Sequence, residues 1–74
     1  MENEITNRLI KFGQNLKSLR EAKSLSQRAL AALADMEHIQ VGKIERGESD
    51  VRLSTVIKLM LALEVDANEL LSET

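Results

Sequence analysis

The side chains with the most distinctive chemistry lie in the segment 25–47, LSQRALAALADMEHIQVGKIERG. Val41 and Ile44 are three residues apart, which predicts that they share the inward face of a helix. Ile39 and Lys43 then lie on other sides of that helix and are expected to be exposed. An exposed isoleucine can contact the methyl group of thymine, and a lysine can donate to O6 or N7 of guanine. The alternatives are that Ile39 packs into the core of a slightly rotated helix and that Lys43 is an ordinary solvated charge.

The chain offers little to catalysis or to metal binding. It contains one histidine, no cysteine and no glycine-rich phosphate loop. Serine, aspartate and histidine all occur, but without the sequence context of a catalytic triad. We therefore expect no enzymatic activity, no catalytic residue, no metal site and no cofactor.

The composition favours a small helical protein. Leucine, alanine, lysine, glutamate and serine dominate, proline is absent and the only aromatic residue is Phe12. The absence of cysteine excludes disulfides and suits a reducing compartment. The first residues, MENEITNR, lack the order of a signal peptide, and no apolar run approaches the roughly 18–20 residues of a membrane span. We expect one all-α domain over residues 1–74, located in the cytoplasm.

The net charge of −2 argues mildly against nucleic acid, because nucleic-acid-binding domains usually carry a basic surface. The charges are unevenly distributed, however. Residues 8–46 hold eight basic side chains against four acidic ones, Glu21, Asp35, Glu37 and Glu45. Residues 64–74 hold no base and four acids, Glu64, Asp66, Glu69 and Glu73. The sequence therefore predicts a polarised molecule whose acidic end is remote from the segment 25–47.

Apolar periodicity predicts a first helix over about residues 5–23. Its apolar face is expected to consist of Ile5, Leu9, Phe12, Leu16 and Leu19. Gly13 lies inside this helix at a cost of roughly 1 kcal/mol relative to alanine, which indicates close packing there. Ser26 is the expected N-cap of a second, alanine-rich helix over residues 27–34.

The third helix is predicted to begin near Glu37 and to stop at Gly47, with Met36 on its inward side. Gly42 lies within it; either close approach to DNA or drift at a tolerant surface position would explain a glycine there. The fourth helix is predicted over residues 53–63. Its inward face is expected to consist of Val56, Ile57, Met60 and Leu63. The capping-box pattern DANE at 66–69 then opens a short fifth helix with Leu70 and Leu71.

These elements resemble the lambda-repressor-like or Cro-like helix-turn-helix domain, also called the XRE family. The resemblance covers residues 16–71 and rests on LKSLREAKSLSQRALA, VGKIERGES and LSTVIKLMLALEVDANELL. Its most specific parts are the Leu-Ser-Gln at 25–27, the Leu-Ala at 30–31 and the Ile-Glu-Arg-Gly at 44–47, all in the family's register. Residues 1–15 extend the first helix beyond it. Asp35, Val51 and Glu64 depart from residues that are frequent in the family, a glycine, a proline and a glycine. Aspartate tolerates the left-handed backbone of the turn better than most side chains.

The resemblance implies that the third helix, about residues 37–46, is a recognition helix. Its amino-terminal end would enter the major groove of DNA while the second helix lies across the groove. The residues that it implies face the bases are His38, Ile39 and Lys43. The residues that it implies face phosphates are Ser26, Gln27, Gln40 and Arg46. From the residues alone, His38 also suits a partly buried or capping role, and Ser26 and Gln27 also suit plain capping. A structural ion pair between Arg20 and Glu45 is implied as well.

One recognition helix covers few base pairs, so the resemblance implies a two-fold homodimer on half-sites about 34 Å apart, in a palindromic operator. Leu61 stands where the family often has a polar residue. With Leu70 and Leu71 it forms the candidate dimer surface, and Ile5 and Leu9 in the N-terminal extension are the alternative. We expect a weak homodimer.

The implied function is sequence-specific binding of double-stranded DNA by a transcriptional regulator, a repressor that acts by occupying its site. The alternative is an antitoxin-type interaction module that binds a toxin protein and autoregulates its own operon. The acidic carboxy-terminal end and the spare apolar residues would suit such a partner.

Overall fold

The computed structural model describes residues 2–72, and Met1, Glu73 and Thr74 lie outside that range. Glu73 is one of the four acidic residues of the segment 64–74. The helices in this part are α1 Glu2–Ala22, α2 Gln27–Leu33, α3 His38–Glu45, α4 Leu53–Leu63 and α5 Ala67–Leu70. Residues 2–72 contain no strand. The prediction of an all-α fold with five helices is confirmed, although α1 begins three residues before the predicted start at Ile5.

The long α1 supports the other helices with only part of its length. Phe12 and Leu16 are buried and Leu19 is partly buried against the same core, as the periodicity predicts. Leu9 is half-buried, whereas Ile5 is exposed because α1 extends past the helices that cover its carboxy-terminal half.

The backbones of α1 and α3 meet closely at Gly13. A methyl group at this position would lie 2.6 Å from the carbonyl oxygen of Glu45 and closer still to that of Ile44. Because both of these atoms belong to backbone, a side chain at Gly13 would force the two helices apart. The close packing predicted for this glycine is therefore present.

Among the described residues, three that are not glycine have left-handed backbone, all of them in connections between helices. The first is Ser24 (φ 57°), which follows α1. Asp35 (φ 54°) joins α2 to α3, and Glu64 (φ 58°) ends α4. These are two of the positions where the resembled family often has glycine, which adopts this conformation without strain. Gly47 (φ 72°) follows α3, where its N–H donates to the carbonyl of Ile44, so the predicted stop is observed.

The inward face of α4 differs from the predicted one. Leu59 and Leu63 are fully buried, and Val56 and Met60 pack partly against the core. Ile57, which was predicted to face inward, is 46% exposed. Apolar residues occur on nearly every side of α4, so the sequence pattern does not single out which side is covered.

The short α5 packs against α1. Asp66 and Glu69 form the predicted capping box, in which Asp66 Oδ1 accepts from the Glu69 N–H at 2.9 Å. Asn15 of α1 donates from Nδ2 to the carbonyl of Leu70 at 3.0 Å. Leu70 itself is 0% exposed, so its assignment to a dimer surface was wrong: its side chain fills the core that α5 closes. None of the helices in residues 2–72 has the length and apolar character needed to cross a membrane.

Candidate nucleic-acid interface

A tight turn fixes α2 and α3 against each other. Asp35 takes up the left-handed backbone of this turn, and the N–H of Met36 donates back to the carbonyl of Ala31 at 2.9 Å. The facing sides of the two helices are buried and small to medium in size: Leu30, Ala31, Ala34, Val41 and Ile44. The orientation of α3 is therefore set by packing rather than by a flexible loop.

The outer side of α3 presents a mixed polar and apolar surface. Ile39, Lys43 and Arg46 are spaced at i, i+4 and i+7, which brings them onto one exposed stripe. Ile39 is 58% exposed and is therefore not a core residue of a rotated helix. Gln40 is exposed beside this stripe, and His38 is half-buried at the first turn of α3.

The amino-terminal end of α2 lies next to this surface. Ser26 is the N-cap: its Oγ accepts from the N–H of Ala29 at 3.0 Å, so the hydroxyl hydrogen remains available to another acceptor. Gln27 is half-buried and its Nε2 donates to Oε1 of Glu45 at 3.1 Å. Both residues thus have structural roles, and both still have donors left over.

A buried ion pair joins α1 to α3. Arg20 Nε donates to Glu45 Oε2 at 2.6 Å, and Arg20 Nη2 donates to Glu45 Oε1 at 3.1 Å. A third donor, Arg20 Nη1, reaches the carbonyl of Leu25 at 2.7 Å, just before α2. The hydrogen bond to Glu45 raises the pKa of Arg20, while burial acts in the opposite direction. Arg20 therefore stays charged and ties together three segments of the chain.

Gly42 lies on the side of α3 that faces α2. It is buried, and a methyl group there would lie 3.2 Å from Nη1 of Arg46 and 3.4 Å from Oε1 of Gln27. The explanation of this glycine as drift at an open, tolerant surface position does not fit, because two side chains cover the position.

Two open clefts flank the amino-terminal end of α3. The one on the side of α2 is lined mainly by Arg28, Ala32, Met36, His38 and Ile39. The more polar one, towards α4, is lined mainly by Glu37, Gln40, Arg52, Thr55 and Lys58. Three of these side chains, Arg28, Arg52 and Lys58, are exposed cations to which the sequence reasoning assigned no DNA contact. Their positive charge was the only signal in the sequence, since nothing there brings them beside α3.

The charged groups at the carboxy-terminal end of this surface are exposed and weakly paired. Arg46 forms an exposed ion pair with Glu48, with Nε 3.0 Å from Oε2, and such pairs contribute little to stability. Arg46 is therefore able to change partners at low cost. Among the described residues, no three histidine, aspartate or glutamate side chains come together as a metal site requires.

Two helices held at a fixed angle, with a polar outer stripe on the second and free donors at the start of the first, define a helix-turn-helix DNA-binding domain. A sequence model of the helix-turn-helix family matches residues 16–70. The chain belongs to this family of DNA-binding transcriptional regulators, as the resemblance predicted.

Two control proteins are similar to this chain in sequence over most of their length. Control protein C.SmaI from Serratia marcescens is 37% identical over 61 residues, which are 82% of this chain and 73% of that protein. Control protein C.BamHI from Bacillus amyloliquefaciens is 38% identical over 64 residues, covering 85% of this chain and 79% of that protein.

Solved structures of regulators are similar to this chain in fold as well as in sequence. The crystal structure of the restriction-modification controller protein C.AhdI from Aeromonas hydrophila matches with a TM-score of 0.82 and 47% identity, over 84% of this chain and 94% of that one. A helix-turn-helix transcriptional regulator from Vibrio cholerae matches with a TM-score of 0.85 and 30% identity, over 89% of this chain and 37% of that one. These similarities favour transcriptional regulation over the antitoxin interpretation.

Proposed function

We propose that this protein is a regulator of the restriction-modification controller type, which binds operator DNA as a homodimer and reads the major groove with α3. The observation that carries the proposal is the exposed stripe of Ile39, Lys43 and Arg46 on a helix that the core holds rigidly. The controller assignment is supported by the similarity to the control proteins and to C.AhdI.

Base recognition is assigned to His38, Ile39 and Lys43. The lysine donates to guanine, the isoleucine packs on a thymine methyl, and a half-buried imidazole with one face in the cleft offers a donor or an acceptor. Because Ile39 and Lys43 are one helical turn apart, they are able to contact neighbouring base pairs of the same half-site.

Phosphate contacts are assigned to Ser26, Gln27, Gln40 and Arg46. The hydroxyl of Ser26 and the second N–H of Gln27 Nε2 are neutral donors at the start of α2, where the helix dipole favours an anion. Arg46 supplies charge once it leaves Glu48. We add the cations beside α3, Arg28, Arg52 and Lys58, which provide the basic footprint that the net charge of the chain conceals.

The homodimer is assigned to the outward side of α4. Leu53, Ile57 and Leu61 recur at i, i+4 and i+8 on one face and are 74%, 46% and 74% exposed. Two copies of such a stripe are self-complementary about a two-fold axis. Leu71, which is 54% exposed on another element, remains a peripheral candidate. Three aliphatic side chains are a small interface by the standard of stable dimers, so the association is weak without DNA.

Regulation follows from occupancy. A dimer bound across promoter DNA excludes other proteins from that stretch, so we propose repression as its effect. A reporter gene placed behind the DNA upstream of the protein's own coding sequence tests this: expression falls when the protein is supplied, and unchanged expression contradicts the proposal.

Binding itself is tested on the same upstream DNA by gel shift and footprinting. We expect one protected region and a complex that persists in roughly a thousandfold excess of random-sequence duplex, because specific sites exceed non-specific ones by at least about that factor. A complex that the competitor removes at equal concentration would contradict sequence-specific recognition.

A further inference from the structure

The carboxylate of Glu45 serves more than its ion pair. Both of its oxygens accept from the guanidinium of Arg20, and Oε1 also accepts from Nε2 of Gln27 at 3.1 Å. The buried charges of Arg20 and Glu45 are already satisfied by their own two hydrogen bonds and by the carbonyl of Leu25. The additional bond therefore does little for the ion pair, but it fixes the side chain of Gln27.

The other side of the Gln27 amide faces Gly42. A methyl group at position 42 would lie 3.4 Å from Oε1 of Gln27, an ordinary van der Waals contact, and 3.2 Å from Nη1 of Arg46. The amide of Gln27 is thus held by Glu45, and its position does not depend on the missing side chain at residue 42.

We propose that Glu45, itself held by Arg20, is a positioning residue that orients Gln27 towards the DNA backbone. The inference rests on the proposed function, in which Gln27 and Arg46 contact phosphates. One N–H of Gln27 Nε2 is bound to Glu45, and the second is left for a phosphate oxygen. Preorganisation of this kind stabilises the complex because less side-chain freedom is lost on binding.

The principal test is a double-mutant cycle of Glu45→Gln and Gln27→Ala. Fluorescence anisotropy measures the affinity of each variant for a duplex selected by the wild-type protein from a random pool and for a random duplex of the same length. We expect Gln27→Ala to weaken binding to both duplexes about tenfold, the equivalent of one charge-assisted hydrogen bond, and Glu45→Gln to weaken both by up to that factor.

The double variant separates a positioning role from an independent one. If Glu45→Gln acts mainly by releasing Gln27, the loss of affinity in the double variant stays close to the loss of Gln27→Ala alone, far below the product of the two. Losses that multiply, or an affinity unchanged by Glu45→Gln, would overturn the proposal. Ser18→Ala, at an exposed position of α1, is the control for a substitution outside the interface and should leave DNA affinity unaltered.

Glu45 is tested by Glu45→Gln, which keeps the size of the side chain, in the wild-type and Gln27→Ala backgrounds. Measurements are made at a temperature where urea unfolding shows both variants to be folded. A positioning role predicts a loss of DNA affinity in the wild-type background and little further loss without Gln27. Equal losses in both backgrounds would indicate a purely structural role. If the wild-type protein selected no DNA at all, the proposed function would fail instead, so the two failures are distinguishable.

Discussion

Helices α3 and α4 pack against the same core, yet they expose opposite chemistry. The outward stripe of α3 carries Lys43 and Arg46 with a single aliphatic residue, Ile39. The outward stripe of α4 is entirely aliphatic. The contrast indicates different partners: hydrogen-bond donors with one apolar contact suit the edges and phosphates of DNA, and a wholly apolar stripe suits a second copy of the chain.

The two surfaces also differ in how the core supports them. α3 is fixed by the turn at Asp35, by the close contact at Gly13 and by the Arg20–Glu45 pair. α4 is fixed by the burial of Leu59 and Leu63. In the function proposed above, recognition would thus depend on hydrogen-bonded geometry, whereas association would depend on which side of a largely apolar helix remains uncovered. The predictions below test this division.

The largest effect is expected inside α4. Leu59→Ala should reduce the free energy of unfolding by about 2–5 kcal/mol, because it opens a cavity in the core. Leu61→Ala, two residues away and exposed, should change it by no more than about 0.5 kcal/mol. Urea unfolding at protein concentrations too low for dimerisation measures both. Similar losses would show that the division of α4 into a buried and an outward side is incorrect.

Leu61→Lys should weaken the homodimer about a hundredfold, because two lysines would face each other across the two-fold axis in place of an apolar contact. Sedimentation equilibrium over a range of concentrations, with and without DNA, measures the dissociation constant. Leu71→Lys is the matched control on the other exposed apolar element and should have a much smaller effect. A wild-type protein that stays monomeric at high micromolar concentration, even with DNA, would refute the dimer.

Lys43→Ala should cost about 1–3 kcal/mol on the preferred sequence and relax specificity at one base position. Gln27→Ala should instead weaken preferred and random duplexes alike, because it removes a phosphate contact. Anisotropy titrations of both variants against both duplexes make the comparison. If both variants change the ratio of the affinities for preferred and random DNA by the same factor, the roles assigned to Lys43 and Gln27 are wrong.

The smallest effect concerns salt. Arg46→Gln should lower the slope of log K against log salt concentration by about one, with little change in sequence preference. Glu48→Gln, which removes only the exposed partner of Arg46, should not lower that slope. An unaltered slope for Arg46→Gln would exclude Arg46 from the phosphate contacts.

Much of the fold was predictable because local signals were strong. Ser26, the capping box at 66–69 and the glycine at 47 define helix ends by hydrogen bonding within a few residues, and those signals are independent of tertiary packing. The stripe of Phe12, Leu16 and Leu19 likewise gave the buried face of α1. The family motif then supplied the pairing of α2 with α3, which periodicity alone does not give.

The errors arose where the deciding contact is remote in sequence. Ile57 was predicted to face inward and is exposed, whereas Leu59, which the predicted face did not include, is buried, because apolar residues on several sides of α4 leave its orientation undetermined. Leu70 was predicted to be at the surface, although α5 buries it against α1. Two explanations were left open for Gly42, and the one that made it a tolerant surface position is wrong because the side chains of Gln27 and Arg46 cover it. Each of these features depends on how helices meet, which a single sequence does not record.

The central claim is that α3 reads DNA in two copies that α4 brings together. Selection of bound duplexes from a random pool tests it most directly. The account predicts enrichment of an inverted repeat whose half-site centres are about one helical turn, roughly 34 Å, or a multiple of it apart. Loss of the repeat is expected when the selection is made with Leu61→Lys. Absence of any enriched sequence, or enrichment of a single asymmetric site by the wild-type protein, would contradict it.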